Sequence, residues 1–462
     1  MYHAKTWKEK IVLFLAILWP IMVTQVSFYA MNLVDTMMSG RVGTNDLAGV
    51  AIGSSLWMPI FTGINGVLLA VTPVVAQLLG KGQRDQISYT VIQALYLSIL
   101  LALAVGGVGA FLLDPVLSIM NLDPAVYHIA FHYLIGLSIG IIPLFAANVL
   151  RYFFDAQGYT RITMIITVLA VPFNVLLNYG FIFGKLGLPA LGGIGAGYAT
   201  AITYWIIFLF SIWMTYKVDV IRHYQLFVKW AVPSWKAWKE QLAIGIPIGL
   251  SIFFEASIFS IVTLLIGMMF TTITVAAHQV ALSFTSLMFM IPLSISMALT
   301  IVVGFSVGGE RLQAARQYSN LGVLGGIGIL AIGSVFLYFF REPIAYLYTE
   351  DREVVLLAGQ FFIIAIFYQL SDAAQAGLQG VLRGYKDVKV PFITAFISYW
   401  IIGIPSGYLL AAYTDLGPFG FWIGIILGLT CAAVGFLIRL RVIQNRITRN
   451  QTIRDLGEIG DK

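Results

Sequence analysis

Long apolar runs, broken by short polar and mostly basic segments, cover almost the whole chain. The apolar stretches fall at about 11–38, 47–79, 88–112, 125–154, 162–184, 194–216, 240–269, 275–307, 318–340, 354–382, 390–413 and 417–438. A bilayer core of about 30 Å is crossed by roughly 20 apolar residues in helical form. The pattern therefore predicts an all-α integral membrane protein with twelve transmembrane helices. The runs of thirty residues or so predict tilt, kinks or extension past the lipid. The first run follows Lys5, Lys8 and Lys10 and continues beyond twenty residues without a small-residue cleavage site, so it reads as a retained first span.

Composition sharpens this picture. Of 462 residues, 59% are hydrophobic and only 10% charged, against roughly a quarter charged in soluble domains. Mean hydropathy is +0.90. The net charge of +6 could suggest nucleic acid, but the basic residues form no patch or arm. They sit in alternate loops. With the N-terminus inside, 23 of the 27 lysines and arginines lie on the inner side, and only Arg41, Lys185, Arg341 and Arg352 lie outside. That asymmetry predicts a multi-pass plasma-membrane (inner-membrane) protein with both termini cytoplasmic. The lone Cys431 allows no intrachain disulfide, and the five histidines form no ligand cluster. Gly80-Lys81 and Gly184-Lys185 lack the phosphate-loop spacing, so no ATP hydrolysis is expected. No enzymatic motif and no cofactor is expected either.

The longest inner segment, about 217–239, divides the helices six and six. The reading is an N-terminal lobe over 1–225, a C-terminal lobe over 226–440 and a basic cytoplasmic tail over 441–462, the tail as coil. Three landmarks repeat at nearly one offset: Leu15–Ile21 against Leu242–Ile248, Gly80 against Gly308, and Gly158-Tyr159 against Gly384-Tyr385. An even number of helices per half implies two lobes in the same orientation, related by a pseudo-two-fold axis along the membrane normal.

Three carboxylates, Asp35, Glu255 and Asp372, lie within apolar runs with no lysine or arginine at comparable depth. An aspartate at the centre of a spanning helix costs about 2.5–3.5 kcal/mol on insertion scales, so each is expected to face a cavity. Glu255 falls roughly 18–22 Å into its helix, near the midplane. Tyr368 precedes Asp372 by four residues, which puts a hydroxyl and a carboxylate on one face, suited to a sodium ion or a shared proton. Gln369, Gln375 and Gln379 add polar atoms nearby. Asp35 lies only about 8 Å before the outer helix end. It reads either as a solvated interfacial residue or, with Gln25 and Asn32, as part of a cavity-lining stripe. Asn174 and Asn178, and likewise Gln279, suit interhelical hydrogen bonds or cavity lining equally. Arg151 and Asp155 read as a structural ion pair. Pro20 and Pro247, at matching places in helices one and seven, are hinge candidates or static kinks.

Taken together, several stretches resemble the multidrug and toxic compound extrusion (MATE) family, in its NorM-like branch. In the first half they are Pro20 with Gln25, Asn32, Asp35, Met38 and Gly40, then Pro172–Gly180 running on to Phe183-Gly184, then Gly193–Gly197. In the second they are Glu255, Ala276-Ala277-His278-Gln279, and Tyr368 with Asp372. The resemblance covers essentially the whole chain. It implies a monomeric antiporter that exports organic, mostly cationic compounds in exchange for Na+ or H+ by alternating access. It also implies a coupling-ion site at Glu255, Tyr368 and Asp372, where Na+ is one candidate, and a role in proton coupling for Asp35. A related lipid-linked oligosaccharide flippase is the alternative; its anionic cargo would suit a cavity lined by Lys or Arg.

Overall fold

The computed structural model describes residues 1–460, and those residues form helices and connecting turns with no strand among them. In chain order the helices are α1 (Trp7–Val42), α2 (Thr44–Leu68), α3 (Val71–Gly80), α4 (Arg84–Ile119), α5 (Pro124–Ser138), α6 (Ile141–Ala156), α7 (Thr160–Phe183), α8 (Gly193–Lys217) and α9 (Asp219–Arg222). There follow α10 (Trp235–Met269), α11 (Thr272–Met288), α12 (Met290–Gly308), α13 (Leu312–Tyr346), α14 (Arg352–Gly384) and α15 (Lys389–Phe396). A wide π-helical turn (Ile397–Gly403) leads into α16 (Ile404–Tyr413), and α17 (Phe419–Gly460) ends the described chain. Among the described residues eleven helices are long and apolar enough to span a bilayer. The bent pair α5 and α6 makes twelve if it counts as one span.

That pair occupies the thirty-residue run over 125–154, one of those for which tilt, a kink or extension past the lipid is expected. It bends by 51°. Pro143 has no N–H to give the carbonyl of Ile139, four residues earlier. Trp205 Nε1 on α8 donates to that carbonyl instead, at 3.1 Å. The joint between α2 and α3 has a similar origin. Pro73 cannot serve the Leu69 carbonyl, which takes the Thr72 N–H at 3.0 Å in a tighter turn. By contrast α1 and α10 run on through Pro20 and Pro247 without breaking.

The expectation of a coil from Arg439 onward is also corrected, because α17 continues through that tail. No proline or glycine interrupts residues 439–456. Side chains also pin the extension to α13 and to the turns beside it and after α14. Arg439 holds Asp387 through Nε at 2.6 Å and through a second nitrogen at 3.1 Å. Arg316 donates to Thr448 at 3.0 Å, and Arg454 pairs with Glu310 at 3.3 Å.

Packing divides the chain into two compact units whose boundaries fall inside helices. One contains Met1 and Trp19–Gly249; the other contains Tyr2–Leu18 and the chain from Leu250 onward. In the first unit α6 is the core element, with every residue except Ile142 buried. It packs on α3, α4 and α8. Close approach depends on glycine: a Cβ on Gly197 of α8 would strike the Tyr133 carbonyl of α5. In the second unit α14 is central, packed on α11, α12, α13 and α17. Gly380 lets α14 lie directly against the Ser296 carbonyl of α12, and Thr300 donates across the contact to the Gly380 carbonyl at 2.8 Å.

Candidate functional site

In the first unit, three helices converge on one carboxylate. Asp35 on α1 is buried, and each of its oxygens accepts one hydrogen bond. Asn178 Nδ2 of α7 donates to Oδ1 at 2.6 Å, and the Thr200 hydroxyl of α8 donates to Oδ2 at 2.6 Å. Asn178 Nδ2 also bonds Asn174 Oδ1 at 3.1 Å, one turn away. The register of α8 is set at its start. Gly192 takes the left-handed conformation (φ 63°), and the Gly193 N–H then donates to Asp46 Oδ1 at 2.7 Å. The acceptor oxygen of Asn178 is buried and has no partner. The solvated alternative for Asp35 therefore does not hold in this structure.

In the second unit, a neutral amide joins the other two carboxylates. Gln375 Nε2 on α14 donates to Glu255 Oε1 of α10 at 2.7 Å and to Asp372 Oδ1 at 2.9 Å. The two oxygens thus lie within about 6 Å of one another. At an effective dielectric near 20, two full charges at that separation repel by about 3 kcal/mol. Tyr399 completes the cluster by donating its hydroxyl to Gln375 Oε1 at 3.0 Å. Tyr399 sits in the wide turn before α16, where Pro405 leaves the Ile401 carbonyl without its helical donor. Tyr368, one turn before Asp372, is buried and interacts with that carboxyl through its hydroxyl.

An aromatic wall holds Tyr368. Its ring meets Phe259 and Trp422 edge to face, at centroid distances of 5.8 and 5.7 Å. The Trp422 indole donates to His278 Nδ1 at 2.9 Å. An indole nitrogen can only donate, so Nδ1 is the acceptor and the imidazole proton sits on Nε2. That proton points to Thr263 Oγ1 at 2.8 Å, and Thr263 in turn donates to the Phe259 carbonyl at 2.9 Å. His278, fully buried, therefore serves the cluster at second hand, through Trp422.

The structure thus brings Glu255, Tyr368 and Asp372 together, and separately Asp35, Asn174 and Asn178. Asn32 and Gln279 are exposed and Gln25 is partly buried; none of them is among the direct partners just described. Sequence reading placed Gln375 only nearby and missed Thr200, Tyr399 and Trp422. Arg151 and Arg383 are both buried. Arg151 does pair with Asp155 (3.6 Å), as its spacing predicted, and lies over the Phe28 ring at 5.4 Å. Arg383 lies in the last turn of α14.

Comparison with known proteins agrees with this architecture. The model of the MatE family matches residues 20–180 and again 247–409. The second match starts 227 residues after the first, which is the offset of Leu15 from Leu242. A relative from Halalkalibacterium halodurans described as "Probable multidrug resistance protein NorM" is 53% identical, covering 99% of this chain and all of its own. One of the same description from Bacillus subtilis is 50% identical over 98% of this chain and all of its own. Among solved structures, a MATE protein in a bent conformation superposes with a TM-score of 0.87 at 20% identity, covering 96% of this chain and 97% of its own. A eukaryotic MATE transporter gives 0.82 at 22% identity, covering 97% and 99%. Those two establish the fold alone. With both halves matched and relatives half identical along the entire length, the chain belongs to the MatE family of membrane transporters.

Proposed function

We propose that this chain is a multidrug efflux antiporter, exporting cationic and amphipathic organic compounds in exchange for Na+ or H+ by alternating access. The reading fits relatives described as multidrug resistance proteins. The observation that carries it is the amide-bridged pair Glu255 and Asp372. Two carboxylates within about 6 Å, Asp372 buried and Glu255 half-buried, gain about 3 kcal/mol from any cation that neutralises their repulsion. The available donors are the oxygens of Glu255, Asp372 and the Tyr368 hydroxyl, hard ligands that suit Na+ or a proton and hold no preference for softer metals. Gln375 Nε2 occupies the position between the two oxygens, so a cation entering there must turn the amide aside. Ion entry is thus linked to rearrangement of α14 against α10. Exchange follows if the ion and an organic cation cannot neutralise the same carboxylates together. Asp35, held by Thr200 and Asn178, offers a second ionisable position in the first unit.

The test is transport in proteoliposomes under separately imposed sodium and proton gradients, with ethidium and norfloxacin as cargo. Efflux driven by one gradient and abolished by Glu255→Gln or Asp372→Asn is the expected result. Efflux whose ion dependence survives both substitutions would overturn the assignment, and no efflux of any cation would favour a lipid-linked cargo.

A further inference from the structure

Residues 223–234, between α9 and α10, occupy the place of a linker but lack its composition, being apolar and aromatic for the most part with no glycine. Five hydrogen bonds tie this segment and the start of α10 to α4. Ser88 donates to the Tyr224 carbonyl at 2.8 Å, Tyr96 to the Ala231 carbonyl at 2.8 Å, and Gln93 Nε2 to the Val232 carbonyl at 2.8 Å. The Ser234 N–H donates back to Gln93 Oε1 at 3.0 Å, and Gln241 reaches the Thr90 carbonyl at 2.9 Å. Leu226 and Ile221 point inward and are buried. The opposite edge carries the large apolar residues outward: Trp230 is 59% exposed, Val232 81% and Trp235 67%.

Depth makes this exposure informative. Gln93 and Tyr96 lie nine and twelve residues into α4, roughly 14 and 18 Å from its first residue. The polar start of α4 ends at Thr90, and its apolar stretch begins at Val91. The strap therefore lies beside the beginning of the apolar part of α4, where Val91–Leu95 are buried and exposed apolar residues begin at Ile99; the apolar stretch of a spanning helix begins where the headgroup layer gives way to the acyl layer. Irregular backbone is tolerated near lipid only where its polar groups are satisfied. Here the carbonyls of Ala231 and Val232 and the N–H of Ser234 are satisfied by α4 side chains, and Pro233 has no N–H to satisfy. Lys229 and Lys236 flank the apolar edge and are exposed.

We infer that this strap is a lipid-binding element: Trp230, Val232 and Trp235 insert into the membrane interface on the basic side of the protein, while Lys229 and Lys236 hold acidic phospholipid headgroups. Tryptophan suits that layer because its ring is apolar and its N–H is polar. A lysine near an anionic surface contributes a roughly fivefold preference for the acidic lipid. Tyr96 and Phe227 hold the Trp230 ring from behind, at centroid distances of 6.2 and 5.7 Å, so the insertion face is preformed. The inference is independent of the transported cargo and of the coupling ion.

The test uses the full-length chain in lipid nanodiscs. With the single cysteine removed (Cys431→Ser), Val232→Cys is spin-labelled and its collision rates with oxygen and with a water-soluble nickel chelate are compared. A label at Arg449→Cys, on the exposed face of α17, serves as the aqueous control. The expected result is oxygen-favoured accessibility at 232 and nickel-favoured accessibility at 449. Equal accessibility at the two positions would overturn the insertion. Dipolar broadening at 232 that depends on having two protein copies per disc would instead assign the face to a second copy of the chain, and would equally overturn it. For the headgroups, the relative association of spin-labelled phosphatidylglycerol and phosphatidylcholine is measured in the wild type and in Lys229→Gln/Lys236→Gln. The preference for phosphatidylglycerol is expected to drop roughly fivefold per lysine removed; an unchanged preference would refute the headgroup role.

Discussion

Replacing Gln375 by methionine separates the work of the bridging amide from the volume it fills. The side chain is buried and makes three hydrogen bonds, two of them donated to carboxylates at 2.7 and 2.9 Å. Bonds to charged groups contribute about 1.5–3 kcal/mol each in soluble proteins, while interhelical bonds in membranes average about 0.6 kcal/mol. A combined loss of about 1–3 kcal/mol for the two bonds runs from the membrane average to the lower end of the charged-bond range. That loss falls on the ion-free state, in which both carboxylates need a donor. A bound cation replaces the donor, so the ion-loaded state loses little. Apparent cation affinity in Gln375→Met should therefore rise by roughly 5- to 150-fold. The assay is thermal unfolding of purified protein across a sodium titration, with choline holding ionic strength constant, repeated across a proton titration without sodium. The variant should be less stable than wild type without the coupling cation and approach it at saturation. A deficit of the same size with and without cation would refute the reasoning, because the amide would then serve packing alone.

Other expectations follow from the same geometry. Asn178→Leu removes the donor at 2.6 Å from Asp35 and should cost about 1–3 kcal/mol in thermal stability, with Asp35→Asn/Asn178→Leu costing less than the sum of the two single changes. Gly380→Ala pushes a methyl group into the Ser296 carbonyl and should destabilise by about 1–3 kcal/mol, read as a lowered midpoint of thermal unfolding. Asp387→Asn weakens the hold on Arg439, so proteolysis within residues 441–456 should quicken while the span of α17 stays intact. Burial and the nearby Arg311 charge hold the His3 imidazole below its ordinary value, so the folded state favours the neutral ring. Its contribution is then fully present above about pH 6.5 and is lost as pH falls below that. Wild type should lose more thermal stability than His3→Gln between pH 7.5 and pH 5.5.

The spans were legible because lipid imposes a length and an apolarity that no loop shares. Tyr368 with Asp372, and Asn174 with Asn178, were legible because four residues make one helical turn. Glu255 stood out through its cost alone. What stayed hidden was tertiary. Nothing local shows that Gln375, one of four glutamines in its helix, meets a glutamate 120 residues away. Thr200 looks like any small polar residue of a packed span until α8 is set against Asp35. The break at Ile139 was half visible in Pro143, but the Trp205 indole that stabilises it comes from another helix. The helical tail stayed hidden because its charge suggested solvent, whereas Asp387 and Glu310 bind two of its arginines and Thr448 accepts from Arg316.

The π-helical turn at Ile397–Gly403 contains one residue more than an α-helix of the same rise would hold, and Tyr399 lies within it. Such a turn can migrate along a helix by exchanging one hydrogen bond for the next. Each step of migration reorients the residues it passes by about 100° while the helix axis stays nearly still. One step would swing Tyr399 off Gln375 and free the amide to rotate away from both carboxylates. A slip of one residue, without any movement of a whole lobe, is therefore sufficient to loosen the bridge between α10 and α14.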